Sequence, residues 1–272
     1  MLRQRVLVSI VLLPIGLTLI YFGGIPFTLF IALLLGLAAW EFCKLFEVGE
    51  HRPSRILAVA GTVALTIDRG FNGFENAHWI LGIFILVSMI YHLIQYERGR
   101  DQSGTDFVIT IVGALYLGWI GPYLLSLRNL PDGMWWFMIA LPSVWAADTG
   151  AYFIGSKFGK HKLTPRLSPK KSWEGFIAGV ISGPMIGLAF AAIALTQVDP
   201  ESGITLLRGA ILGLSLAVLT PFGDLGASMI KRQFGVKDSG TIFPGHGGAF
   251  DRVDTWIWAA ILGYIIITWF YL

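Results

Sequence analysis

Ser228, Lys231-Arg232, Lys237-Asp238, Pro244-Gly245-His246-Gly247-Gly248 and Asp251-Arg252-Val253-Asp254 crowd into one short segment. Bases and carboxylates interleave there, between two hydrophobic stretches of a chain that is otherwise mostly apolar. The mixture of signs points to two kinds of chemistry. Basic side chains hold phosphates, and carboxylates hold a metal that also holds phosphates. Asp224, in Pro221-Phe222-Gly223-Asp224-Leu225, closes one apolar helix as Asp251 opens another. Two such carboxylates suit Mg²⁺, which takes one or two carboxylates plus phosphate oxygens. Helix capping and dipole compensation account for Asp251 or Asp254 equally well, but not for Asp224. His246 alone says little. Its glycine-rich loop does allow close approach to a ligand.

Two further clusters carry charge. Asp148 lies inside an apolar run, Ala146-Ala147-Asp148-Thr149-Gly150-Ala151-Tyr152. An ionised carboxylate there costs about 2.5–3.5 kcal/mol on insertion scales, so it needs a polar cavity, a metal, a base or a helix–helix hydrogen bond. Tyr152, four residues on, shares its helical face. The second cluster is Gly159-Lys160-His161-Lys162, then Ser168-Pro169-Lys170-Lys171-Ser172-Trp173-Glu174-Gly175. Lys160, Lys162 and Arg166 suit either a ligand or the anionic lipid surface. Lys170 and Lys171 precede Ser172, a plausible N-cap, and a helix N-terminus beside two lysines is an anion site. Polyphosphate is its natural guest.

These residues must be positioned by membrane helices. The chain has 272 residues, 55% hydrophobic and 14% charged, with a mean hydropathy of +0.68. Soluble domains carry about 25% charged residues, so a soluble globule is excluded. The short alternating segments of a β-barrel are absent. Cys43 is the only cysteine, which excludes an intramolecular disulfide and a zinc–cysteine cluster. The expected fold is all-α and polytopic, with nine spans near residues 6–23, 25–46, 55–68, 78–95, 107–127, 134–155, 174–196, 203–221 and 254–271. Phe222–Ala227 either continues the eighth helix or breaks it. The first run is too long for a cleavable signal and lacks a small-residue cleavage site, so it reads as the first span. In this arrangement every Lys and Arg except Arg69, Arg128 and Arg208 falls on one side, which is therefore expected to be cytoplasmic together with the N-terminus. Gly175, Gly179, Gly183 and Gly187 recur every four residues and form a smooth ridge for close helix packing. Residues 1–130 read as membrane helices with little motif content, and 131–272 as the catalytic region with its cytoplasmic loops.

With these residues placed, Ser228 to Asp254 resembles the diagnostic motif of the phosphatidate cytidylyltransferases, or CDP-diacylglycerol synthases. The serine, the Lys-Arg and Lys-Asp pairs, the His-Gly-Gly and the Asp-Arg-x-Asp are all present at the family's spacing. Ala147–Tyr152 and Ser168–Gly175 resemble family segments too. Ser172 stands where threonine is commoner and keeps the hydroxyl. The similarity covers about the C-terminal half; the first spans match only in hydrophobic character. The resemblance implies transfer of CMP from CTP to phosphatidate with release of pyrophosphate, dependent on Mg²⁺, with a second, monovalent cation such as K⁺ allowed by family precedent.

A phosphomonoester is largely dianionic at neutral pH, its second pKa being near 6, so the attacking oxygen needs no strong general base. Catalysis is then positioning and charge neutralisation. On this reading Asp224 and Asp251 hold Mg²⁺, with Asp148 as a third ligand or a supporting partner. Lys170, Lys171 and Lys231 or Arg232 hold the CTP phosphates, with Ser172 at the helix start. Arg252 and Lys237 hold the phosphatidate head. Ser228, Asp238, His246 and Asp254 orient these groups. The partners are CTP, phosphatidate and membrane lipids, with no nucleic acid; a homo-oligomer is left open. The expected location is the inner membrane, with the site facing the cytoplasm. Two rivals remain: another Mg²⁺-dependent membrane phosphotransferase acting on a lipid phosphate, and a proton-coupled transporter using Asp148. The chain shows no internal repeat, and its charges crowd one side, both of which count against the transporter.

Overall fold

A computed structural model describes residues 14–73, 75–199, 201–242 and 247–272. His246, its neighbours Pro244 and Gly245, and the start of the first expected span lie outside the described residues.

Among the described residues the fold is all-α apart from one small ribbon, and the chain is an integral membrane protein. After a helix over 14–22 (α1) come α2 Gly24–Glu47, α3 Arg55–Asn72, α4 Ala77–Glu97 and α5 Ser103–Leu115. A π-helical turn, Tyr116–Ile120, leads to α6 Tyr123–Arg128, and α7 is Gly133–Phe158. Strands β1 Lys162–Thr164 and β2 Ser168–Ser172 pair antiparallel, Lys162 opposite Ser172. The last helices are α8 Trp173–Ala194, α9 Leu206–Leu219, α10 Pro221–Gln233 and α11 Phe250–Phe270.

Among the described residues, seven helical stretches are long and apolar enough to cross a membrane. Six of them match expected spans within a few residues, and the seventh, Leu206–Gln233, runs twelve residues past the expected end of the eighth span at 221. α3 occupies the expected third span, yet it buries Asp68 and Arg69 and is not one of the seven. Asp68 accepts hydrogen bonds from Asn72 (2.8 Å) and Asn76 (3.1 Å), and Arg69 Nε donates to Ser126. The eighth span resolves an open point: helix is interrupted at Thr220 and restarts at Pro221, where a missing N–H costs nothing because first-turn donors have no intrahelical partner. On α4, Trp79, Ile83, Leu86, Ile90 and Leu93 are exposed, a surface suited to lipid tails.

The chain divides into two compact units, one of residues up to Ser126 with Ile230–Val253, the other of Leu127–Met229 with Asp254–Leu272. In the first, α2, α3, α4, α5 and the π-helical turn pack on one another. Gly118 of that turn sits so close to Thr62 that a β-carbon would come within 2.6 Å of its Cα. In the second, α8 is the central element, packed on α7 and α9. The glycine ridge does what its spacing predicts. Gly175 and Gly179 lie against the Ala151 and Ala147 carbonyls of α7, and Gly183 and Gly187 against the Gly213 and Gly209 carbonyls of α9. Each position is too tight for a methyl group.

Candidate active site

The second unit gathers Asp148, Lys170, Lys171, Ser172, Asp224 and Ser228. Ser172 is the N-cap of α8: its extended backbone turns the chain in, and its hydroxyl accepts from Gly175 N–H at 3.2 Å. The hydroxyl is buried against Gly155 and Gly159 at the end of α7. The β1–β2 ribbon delivers the chain to this cap. Trp173 N–H donates to the His161 carbonyl at 2.9 Å, and Glu174 accepts from His161 Nδ1 at 2.7 Å and from its backbone N–H. Lys170 is exposed on β2, and the next side chain, Lys171, forms an ion pair with Asp224. Asp148 is accessible and interacts electrostatically with both Lys171 and Asp224. Ser228, on α10, is buried.

This grouping suits a phosphate-bound Mg²⁺. Among the described residues no three His, Cys, Asp or Glu side chains cluster as a protein-only metal centre. Mg²⁺ asks for less: one or two carboxylates, with waters and substrate phosphates completing its octahedron. Asp148 and Asp224 supply two in one unit, and the Lys171 ammonium already holds positive charge on Asp224.

The first unit holds most of the other motif residues, and there Lys231, Ser239 and Gly248 meet Asp251, in the opening turn of α11. Lys231 Nζ donates to Asp251 Oδ1 at 2.5 Å, with both side chains buried. Oδ2 accepts from Ser239 N–H at 2.8 Å, from Gly248 N–H at 3.0 Å and from Ser239 Oγ at 3.0 Å. Asp251 thus organises the segment leading into α11 as well as carrying a cation on Oδ1. Arg232 donates to the Val236 carbonyl at 2.8 Å, closing the turn after α10. Lys237, Asp238 and Arg252 are exposed. Asp254, the other carboxylate of the Asp-Arg-x-Asp run, belongs to the second unit; it is buried and accepts from Thr255 N–H at 2.7 Å.

Two residues of the Asp251 network have no role assigned from sequence alone. Glu41, buried in α2, accepts through Oε2 from Phe250 N–H at 3.0 Å and from Ser239 Oγ at 2.9 Å. Ser239 therefore spans two carboxylates, Glu41 and Asp251, with one hydroxyl. The signal for Glu41 was present: it is an acidic residue inside an apolar span, as Asp148 is. Ser239 had no comparable signal, because a serine in a polar segment is ordinary.

Comparison with known proteins bears on what these groups do. The model of the cytidylyltransferase family matches residues 3–270. The chain is 36% identical to a phosphatidate cytidylyltransferase of Pseudomonas aeruginosa, over 99% of this chain and 97% of that protein. It is 35% identical to one of Brucella suis, over 97% and 92% of the two chains. A Bacillus subtilis protein of the same name is 29% identical, over 98% of each.

Proposed function

The chain belongs to the cytidylyltransferase family, and we propose that it transfers CMP from CTP to phosphatidate, forming CDP-diacylglycerol and pyrophosphate. The observation that carries this reading is the Asp148–Lys171–Asp224 grouping at the capped start of α8, which suits a polyphosphate and its divalent cation. In the reaction a phosphatidate oxygen bonds to the α-phosphorus of CTP, and the bond from that phosphorus to the bridging oxygen of pyrophosphate breaks. Neither reactant requires a covalent link to the protein.

The residues then act by charge and position. Lys170 and Lys171 hold CTP phosphates beside the N-terminus of α8, whose dipole favours anions. Ser172 keeps that end in place. Asp148 and Asp224 would hold Mg²⁺, which when bound would neutralise phosphate charge and polarise the α-phosphate. As a polyphosphate arrives, Lys171 exchanges Asp224 for phosphate oxygen. Lys231 on Asp251 Oδ1 is poised for the same exchange, which would free Asp251 for the Mg²⁺ expected of it from the sequence. Arg232 contributes to the phosphates, Lys237 and Arg252 bind the phosphatidate head, and Ser228, Asp238, His246 and Asp254 orient their neighbours. A monovalent cation such as K⁺ is a further requirement to test. We place the protein in the inner membrane with these groups facing the cytoplasm, supported by the distribution of Lys and Arg.

The test is incubation of purified protein with phosphatidate, radiolabelled CTP and Mg²⁺, with Asp224→Asn alongside. The expected result is Mg²⁺-dependent label in the lipid phase, release of pyrophosphate, and near-complete loss in the variant. Folded wild-type protein that leaves the lipid unlabelled overturns the reaction. Wild-type rates in Asp224→Asn remove the metal assignment.

A further inference from the structure

We propose that Glu41 is a positioning residue of the active site, acting from α2 through Ser239 and the start of α11 on the Asp251 carboxylate. The proposal rests on the transfer reaction given above, because it assigns Asp251 and Lys231 to that chemistry.

The environment of Glu41 is unusual for its charge. A carboxylate in an apolar helix is expected to meet a base or to face water. Glu41 is 2% exposed, and its hydrogen-bond donors are a backbone N–H and a hydroxyl. Its other oxygen, Oε1, is buried without a hydrogen-bond partner among the described residues. A group so costly to bury is an acceptor with a purpose. Phe250 is the first residue of α11, and its N–H is one of the donors no helix satisfies internally. Glu41 satisfies it from another helix, and so fixes where α11 begins. Asp251 is the next residue. Its Oδ2 shares the Ser239 hydroxyl with Glu41, at 3.0 Å and 2.9 Å. Gly240 and Gly248 lie so close that a methyl group on either would overlap the Glu41 carboxylate. Ser239 and Gly240 on one side, and Gly248 and Phe250 on the other, thus pack against Glu41. Position is handed along the network: Glu41 sets Ser239 and Phe250, these set Asp251, and Asp251 sets the Lys231 ammonium at 2.5 Å.

The substitutions are Glu41→Gln, Glu41→Asp and Ser239→Ala in the full chain. Leu65→Ala is the control, a buried side chain of α3 that only loses packing. Two readouts are taken in detergent. In the first, kcat and KM for CTP are measured with thermal melting alongside. Both Glu41 variants are expected to lower kcat by about tenfold to 100-fold, the effect of ångström-scale misplacement. Leu65→Ala melts earlier with kcat intact. Glu41→Gln combined with Ser239→Ala is expected to lose little more than the worse single variant, as residues of one network do. In the second, hydrogen exchange of the peptide over 238–252 is expected to rise in both Glu41 variants but not in Leu65→Ala. That readout needs no turnover, so it remains decisive if wild-type protein makes no CDP-lipid and the reaction itself is wrong. Wild-type kcat in Glu41→Gln, multiplicative losses in the double variant, or unchanged exchange over 238–252 each overturns the proposal. If Glu41→Gln does not fold, Ser239→Ala carries the same test, and its wild-type kcat with wild-type exchange refutes it.

Discussion

Replacing Lys171 by alanine separates a structural from a functional reading of the second unit's charges. The Lys171 and Asp224 side chains are 29% and 36% exposed, so solvent screens the pair. Pairs of that kind contribute about 0.2–1 kcal/mol to stability after screening and lost side-chain freedom. In a chain of this size that corresponds to a melting shift of at most about 4 °C. The functional reading predicts a larger effect of a different kind. A charge-assisted hydrogen bond from an ammonium to phosphate contributes about 1.5–3 kcal/mol. At about 1.4 kcal/mol per factor of ten, losing it lowers kcat/KM for CTP about 10- to 150-fold. The assay pairs a detergent thermal melt with initial rates of label transfer into lipid over a CTP series. The expected outcome is a nearly unchanged melt with a fall in kcat/KM inside that range. A variant with wild-type kcat/KM would return Lys171 to a role as Asp224's counter-ion. A melt lowered by about 10 °C or more would show that the pair is worth far more to the fold than its exposure allows.

Two predictions concern the scaffold that presents these charges. Ser172→Ala removes the acceptor for Gly175 N–H and is expected to destabilise by about 1 kcal/mol, visible in the melt, whereas Ser172→Thr keeps the cap; equal melts for alanine and threonine would remove the cap from the account. Gly187→Ala puts a methyl group into the Gly209 carbonyl, a backbone atom that cannot rotate away, and is expected to cost about 1–3 kcal/mol. An unchanged melt for that variant would mean that α8 and α9 can part without loss.

How much of the fold was legible in the sequence depends on whether the signal is local. Spans are local: hydropathy over some twenty residues gives α2, α4, α7, α8 and α11 within a few residues of their ends. The ridge is local too, since four glycines at a spacing of four share a helix face, and the cap needs only a serine ahead of a helix. The β1–β2 ribbon was not legible. Lys162–Thr164 and Ser168–Ser172 are short and polar, the second carries Pro169, and they pair because Glu174 and Trp173 both fasten to His161. The restart of helix at Pro221 was half legible, for a proline marks a boundary without saying whether the chain continues beyond it.

The site divides in the same way, and Glu41 shows why. Clusters of charge within a segment announce themselves, and each motif aspartate and lysine stands out as a candidate from its neighbours in sequence. Which carboxylate meets which donor is a property of packing. Glu41 and Phe250 are 209 residues apart, and Glu41 and Ser239 are 198 apart. Nothing in a window around residue 41 predicts that its partners are a serine and the first amide of the last helix. Yet the energetics gave a warning that needs no partner. An acidic side chain in an apolar span carries the same insertion cost as Asp148, and the same rule that marked Asp148 applies to it. The motif-rich segment supplies the groups proposed to touch phosphates. The apolar first half supplies the acceptor that decides where that segment stops and α11 starts. On the role proposed for Glu41, a region without motifs is not a region without function, and an ionisable residue within it is the place to look first.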